Sequence, residues 1–167
     1  MEAADNTQTN LAKERLKDLD LRLDGILSSY GVLSDATPNA DEFGRLLTLS
    51  HIELAKLTPE QCSEGAYILR QGAFTLQKEY NRERAREVWA NAQIDKTVAE
   101  EMGQFDKYMR YEQKRALAIK QNSFAFKLNE IQVYAQSRAI RLESLSDKAS
   151  DMARALNELS MSRRKVY

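Results

Sequence analysis

The sequence predicts an all-α protein: a long antiparallel helical hairpin of coiled-coil type, preceded by shorter helices and assembled into an oligomer. Three observations point there. From Phe124 to Leu159, alternating steps of four and three residues pick out Phe124, Leu128, Ile131, Ala135, Arg138, Leu142, Leu145, Ala149, Met152, Leu156 and Leu159, ten of the eleven apolar. This is the seam of one long helix. A second stripe at seven-residue spacing, Ile119, Phe126, Val133 and Ile140, runs roughly opposite and stops where Asp147 and Arg154 enter its register. The N-terminal half of this helix therefore needs partners on two sides. Finally, 6 glycines and 2 prolines among 167 residues, with 30% charged, favour long helices over sheets or a disordered tail.

In chain order, Met1 to Gln8 is polar and is expected to fray. Asn10 can cap a first helix of about five turns in which Ala12, Leu16, Leu19, Leu23, Ile26 and Tyr30 step by four and three up to Gly31. So short a helix is marginal alone in water and must lie on other helices or on its copies. Gly31 to Ala40, with Ser34, Asp35, Pro38 and Asn39, reads as a loop or hinge. Asp41 to Leu49 and Ile52 to Leu57 are expected as two short helices, the first with Phe43, Leu46 and Leu47 on one side. Residues 1–57 thus form an N-terminal helical segment, acidic because 6 Lys and Arg face 10 Asp and Glu; residues 58–167 hold 19 against 15. This split predicts one acidic and one basic surface.

The hairpin core spans residues 58–167. Thr58-Pro59-Glu60-Gln61 is a helix start, with Thr58 as cap, Pro59 where no amide donor is needed and Gln61 completing a capping box. No breaker follows before Met102-Gly103. The expected seam runs Cys62, Ala66, Leu69, Ala73, Leu76 and Tyr80, then slips to Ala85, Val88, Ala92, Asp95 and Ala99, with Phe74 and Trp89 beside it. Its small residues predict a close approach to the next helix. Gly103 to Asp106 is the only expected break before Lys107, where the last helix begins, and two long helices joined so briefly must turn back on each other. The second outlasts the first, so its turns from Met152 to Leu159 need cover from the N-terminal helices or from another subunit. Arg163-Arg164-Lys165 suits a helix C-terminus and equally suits phosphate. Arg138, the charge inside the seam, either snorkels to the surface or pairs with an acid across the hairpin or a subunit boundary.

Several chemistries lack their residues. A single cysteine, Cys62, makes no internal disulfide and reads as a small packing residue. One histidine, His51, supports neither a zinc site nor a Cys-His or Ser-His constellation. There is no glycine-rich phosphate loop and no Glu-x-x-His pair. Glu100 and Glu101 read as a solvated helix face. No enzyme activity, metal or cofactor is expected, and without an apolar run long enough for a signal peptide or membrane helix the expected location is the cytoplasm.

One region does carry chemistry. From Lys107 to Arg141 eight cations (Lys107, Arg110, Lys114, Arg115, Lys120, Lys127, Arg138, Arg141) face two acids, Glu112 and Glu130, a net +6, with Tyr108, Tyr111 and Tyr134 interleaved. Cations neutralise phosphates and aromatic faces stack unpaired bases without reading sequence, a combination that suits single-stranded nucleic acid. A second cluster, Arg82, Arg84 and Arg86 with Trp89, is diluted by Glu79, Glu83 and Glu87. The alternative is that these charges make intra-helix pairs and the tyrosines belong to the seam.

From about Tyr67 onward the chain resembles the UvsY-like recombination mediators of tailed phages. The residues that carry the likeness are Tyr111-Glu112, the run Phe126-Lys127-Leu128-Asn129-Glu130-Ile131-Gln132-Val133-Tyr134, and Ala155-Leu156 with the basic end Arg163-Arg164-Lys165. The resemblance implies a ring-like homo-oligomer in the host cytoplasm that binds single-stranded DNA and helps a RecA-type recombinase replace a single-strand-binding protein. Two features depart from it. The acidic segment before Thr58 is additional to the family's core, and the family's earlier basic-aromatic stretch has an imperfect counterpart at Arg82 to Trp89.

The expected function is a non-catalytic, single-stranded-DNA-binding accessory protein of recombination or replication. Lys107, Arg110, Lys114, Arg115 and Lys120 would hold phosphates, helped by Arg82 and Arg86; Tyr108 and Tyr111 would stack bases. Ile119, Phe126, Val133, Ile140, Leu156 and Leu159 would join subunits. The acidic segment would bind a protein partner or restrain the basic surface when DNA is absent. The competing expectation is a scaffolding coiled coil with no nucleic-acid role; an enzyme subunit contributing no catalytic residue is a third.

Overall fold

The computed structural model describes residues 2–29 and 40–164, and the side chains among them except those of residues 2–9 and Leu27. The hinge expected near 31–40 lies outside the described residues apart from Ala40, as do Tyr30 and Lys165. Six helices and no strand make up the described chain: α1 (Glu2–Ser29), α2 (Ala40–Leu47), α3 (His51–Lys56), α4 (Pro59–Met102), α5 (Tyr111–Gln121) and α6 (Ser123–Arg164). None is long and apolar enough to cross a membrane. The long helices α4 and α6 pack antiparallel, early α4 against late α6 and late α4 against early α6.

Local chemistry explains the boundaries. Residues 2–9 contain no glycine or proline, and α1 starts at Glu2 rather than at Asn10. Ser50 opens α3 with a capping box: its Oγ accepts the Glu53 N–H at 3.3 Å, and the Glu53 carboxylate accepts the Ser50 N–H at 2.8 Å. The Ser50 hydroxyl also donates to that carboxylate at 2.6 Å, and this bond first, then the one from the Ser50 N–H, holds the Glu53 carboxyl below its usual range. Thr58 and Gln61 form the expected box on α4, at 3.2 and 2.9 Å.

The last helix does not run unbroken from Lys107. Residues 107–110 belong to the turn, α5 begins at Tyr111, and at Asn122 the backbone turns extended, with φ −102° and ψ 109°. The Asn122 amide explains the break. Its Oδ1 accepts the Ala125 N–H at 3.0 Å, opening α6, and its Nδ2 donates to Glu101 Oε1 on α4 at 2.8 Å. Because the apolar spacing of Ile119 and Phe126 continues across Asn122, periodicity alone does not reveal the break.

The chain forms two compact units. One unit gathers α1, α4 from Asn81, α5 and α6 up to Ala139; the other gathers α2, α3, α4 up to Tyr80 and α6 from Ile140. The first has a core of Ala12, Ile94, Val98, Ala118, Ile119, Ala125 and Leu128. The second is built on Leu46, Leu49, Cys62, Ala66, Leu69, Ala153 and Leu156. Cys62 is a packing residue, as expected, and burial pushes its thiol up from the usual range.

The α4 seam does not slip after Tyr80. It continues by fours and threes through Glu83 to Ala90, Ile94 and Val98, all four buried, while Val88, Ala92 and Ala99 of the expected register are exposed. On α6 a further column in one heptad register, Ala125, Ala139, Ser146, Ala153 and Ser160, is buried, with half-buried Gln132 between the first two. Its small side chains let the backbones approach, so that Ser146 Oγ donates to the Ala73 carbonyl at 3.2 Å and Ser160 Oγ to the Pro59 carbonyl at 2.8 Å.

The C-terminal turns of α6 find their cover within the chain. Leu156 is buried and Leu159 half-buried in the second unit, against α2 and α3. Arg163 donates to the carbonyls of Leu57, Leu54 (3.2 Å) and Ala55 (3.1 Å), satisfying the C-terminal end of α3.

Gly72 sits inside α4 because a Cβ there would overlap the ring of Phe43 on α2. Gly72→Ala should lower the unfolding free energy by about 1–3 kcal/mol, as overpacking outweighs the gain in helix propensity. Gly25, with nothing within 4 Å of a built Cβ, should respond oppositely, Gly25→Ala adding about 0.5–1 kcal/mol. Urea denaturation of both variants checks the pair of signs.

Candidate nucleic-acid interface

The turn between α4 and α5 is shaped by its own hydrogen bonds. Gly103 and Gln104 N–H groups close on the Glu100 and Glu101 carbonyls at 3.2 and 3.1 Å. Asp106 Oδ1 accepts the Tyr108 N–H at 3.0 Å, and its carbonyl accepts the Met109 N–H at 3.0 Å. Half-buried Phe105 and Met102 pack on the core of the first unit and anchor the turn. This leaves Tyr108 83% exposed and Tyr111, at the start of α5, 56% exposed.

The cations around these rings are available. Lys107 Nζ lies 5.0 Å from the Tyr108 ring centroid, a cation–π contact of little strength at an exposed site. Lys107, Arg110, Lys114 and Lys120 form no ion pair with any described residue, and all but half-buried Lys114 are exposed. Asp106 and exposed Glu112 are the acids within the turn and the first turn of α5. Arg115 behaves differently: its Nε donates to Asp95 Oδ1 at 2.7 Å and its Nη2 to Asn91 Oδ1 at 2.6 Å, fastening α5 to α4.

The second basic cluster is engaged. Arg86 forks onto Asp20 of α1, Nε to Oδ1 at 2.9 Å and Nη2 to Oδ2 at 2.6 Å, and its Nη1 donates to Glu83 Oε1 at 2.8 Å. These carboxylates, Asp20 first, raise the Arg86 guanidinium above its usual pKa. Arg82 bonds Asp24, also of α1, and Arg84 pairs with Glu87 along α4. Arg138 takes the paired reading: its Nε lies 3.4 Å from Glu83 Oε1, while its guanidinium covers the Tyr134 ring at 5.8 Å. Glu83 is 1% exposed and is the one buried carboxylate among the described residues. It sits at a seam position of α4 facing the charged seam position of α6. Extending the four-three count through Tyr80 would have found it.

The residues expected to join subunits fall into two groups. Ile119, Leu156 and Leu159 are taken up by the chain's own cores. Phe126, Val133 and Ile140 remain 43%, 52% and 62% exposed on α6.

Comparison of the chain with models of protein families, with curated proteins and with solved structures found no match in any of the three.

The seam charges make a stability prediction. Glu83→Ala strips Arg138 and Arg86 of their shared buried acceptor and should cost about 2 kcal/mol, below the usual penalty for a broken buried pair because both guanidiniums reach water. Replacing both seam charges, Glu83→Leu with Arg138→Leu, should recover most of that loss. Urea denaturation of the single and double variants checks it.

Proposed function

We propose that the protein is a non-catalytic, single-stranded-DNA-binding accessory factor whose primary contact is the hairpin turn and α5. The observation that carries this reading is the combination at the turn and α5: two well-exposed tyrosines, one with Lys107 against its ring, in a stretch that also carries Arg110, Lys114 and Lys120, none of these cations paired with a described acid. Lys and Arg displace counterions from phosphates, and the tyrosine faces stack bases in a sequence-tolerant way. Arg115 supports the contact by fixing α5 rather than by meeting phosphate. A role as mediator, helping a RecA-type recombinase replace a single-strand-binding protein in the cytoplasm, follows from the UvsY-like resemblance.

The exposed row Phe126, Val133 and Ile140 favours a further element of the proposal, self-association through α6. Several weak strand contacts would then act together. The same row is what favours the scaffold alternative, in which α6 binds protein and the turn binds nothing.

The two readings separate on one variant series. Binding of labelled oligothymidylate by the wild-type chain should weaken steeply with salt. Lys107→Glu with Arg110→Glu should flatten that dependence and lower affinity, and Tyr108→Ala with Tyr111→Ala should lower it by about 1–3 kcal/mol per stacked base. Affinity unchanged in both variants, measured by fluorescence anisotropy, would contradict the proposal and leave the scaffold reading.

A further inference from the structure

Arg82, Arg86 and Trp89 stand at i, i+4 and i+7 on α4, one face of the helix. In this structure α1 covers that face. Asp20 holds Arg86 with both carboxylate oxygens, at 2.9 and 2.6 Å, the same fork with which a guanidinium takes a phosphate. One helical turn along α1, Asp24 bonds Arg82. Trp89 is half-buried and shares a recess of about 240 Å³ with Arg15, Asp18, Leu19 and Arg22 of α1 and Gln93 of α4. The cations and the aromatic face that suit a single strand are therefore assembled on α4, with carboxylates of the same chain in the place of phosphates.

Over its described side chains α1 buries little apolar surface. Among its described side chains only Ala12 is buried; Leu16, Leu19 and Leu23 are half-buried, and Leu11, Leu21 and Ile26 are 41%, 61% and 54% exposed. The polar contacts of its described side chains include the two aspartate contacts and Arg15 over the Phe124 ring at 5.2 Å. Partly exposed ion pairs contribute little each and are screened by salt, so a polyanion can compete for them. Glu83 does not leave with α1. From within α4 it keeps its 2.8 Å bond to Arg86 and so holds that guanidinium in position once Asp20 is gone.

We propose that α1 is a displaceable acidic latch, in which Asp20 and Asp24 occupy a second single-strand contact formed by Arg82, Arg86 and Trp89, and that a strand bound at the hairpin turn displaces it. The proposal rests on the reading of the turn as a nucleic-acid contact. It makes binding at the turn and release of α1 one linked event, in which each favours the other.

The test uses the full chain and oligothymidylate. In the wild type, saturating oligothymidylate should accelerate amide exchange along residues 10–29 and change the emission of Trp89, the only tryptophan. The variant Asp20→Asn with Asp24→Asn should bind about three- to tenfold tighter than wild type, as two competing ion pairs are removed. Binding with α1 exchange unchanged or slowed, or a variant no tighter than wild type, would overturn the latch and leave the turn as the contact. No binding by either protein at low salt would overturn the latch and the proposed function together.

Discussion

The meeting of Glu83 and Arg138 sets the register of the long helix pair in the first unit. Each is the charge at a seam position of its own helix, and the two face each other across the pair at 3.4 Å. A carboxylate that is 1% exposed is tolerable only with cations at hand, and Glu83 has two, Arg138 from α6 and Arg86 from its own helix. A slip of either helix by one residue would part it from Arg138 and leave Arg86 of its own helix as its one cation. Through Arg86 the same chain of charges reaches Asp20, so one sequence of contacts ties α1, α4 and α6 together.

Elsewhere small residues do the comparable work. The column of alanines and serines on α6 brings its backbone close enough to α4 for serine hydroxyls to reach helix carbonyls. In the second unit, Gly65 and Gly72 of α4 give Leu46, Leu156 and Phe43 room. Arg163 adds a polar tie by satisfying the end of α3, giving one of the C-terminal cations a structural task.

Much of this was legible in the sequence, because heptad spacing and caps are local signals. The hairpin, the Thr58 cap, the two short helices and the packing role of Cys62 follow from neighbours a few residues apart. What escaped depends on partners distant in the chain. In the sequence Glu83 is one of the acids diluting the second basic cluster, and only Arg138, on another helix, accounts for its burial. Arg82, Arg86 and Arg115 looked like free cations until Asp24, Asp20 and Asp95 claimed them. Alanine and serine at seven-residue spacing carry too little hydropathy to announce a buried column, and Asn122 breaks a helix whose apolar period continues past it. The tyrosines of the turn were legible as candidates, since a short connection exposes whatever it carries.

The account of function therefore narrows to a small surface. Of the cations in the two basic clusters, Arg82, Arg84, Arg86 and Arg115 are bound within the fold, while Lys107, Arg110 and Lys120 are exposed in the stretch that carries the two exposed rings. Photocrosslinking the wild-type protein to a thymidine-rich single strand, with the adducts located by mass spectrometry, tests this most directly. The account predicts adducts on Tyr108 and Tyr111, lost on adding salt. Adducts confined to other parts of the chain, or none at low salt, would contradict it.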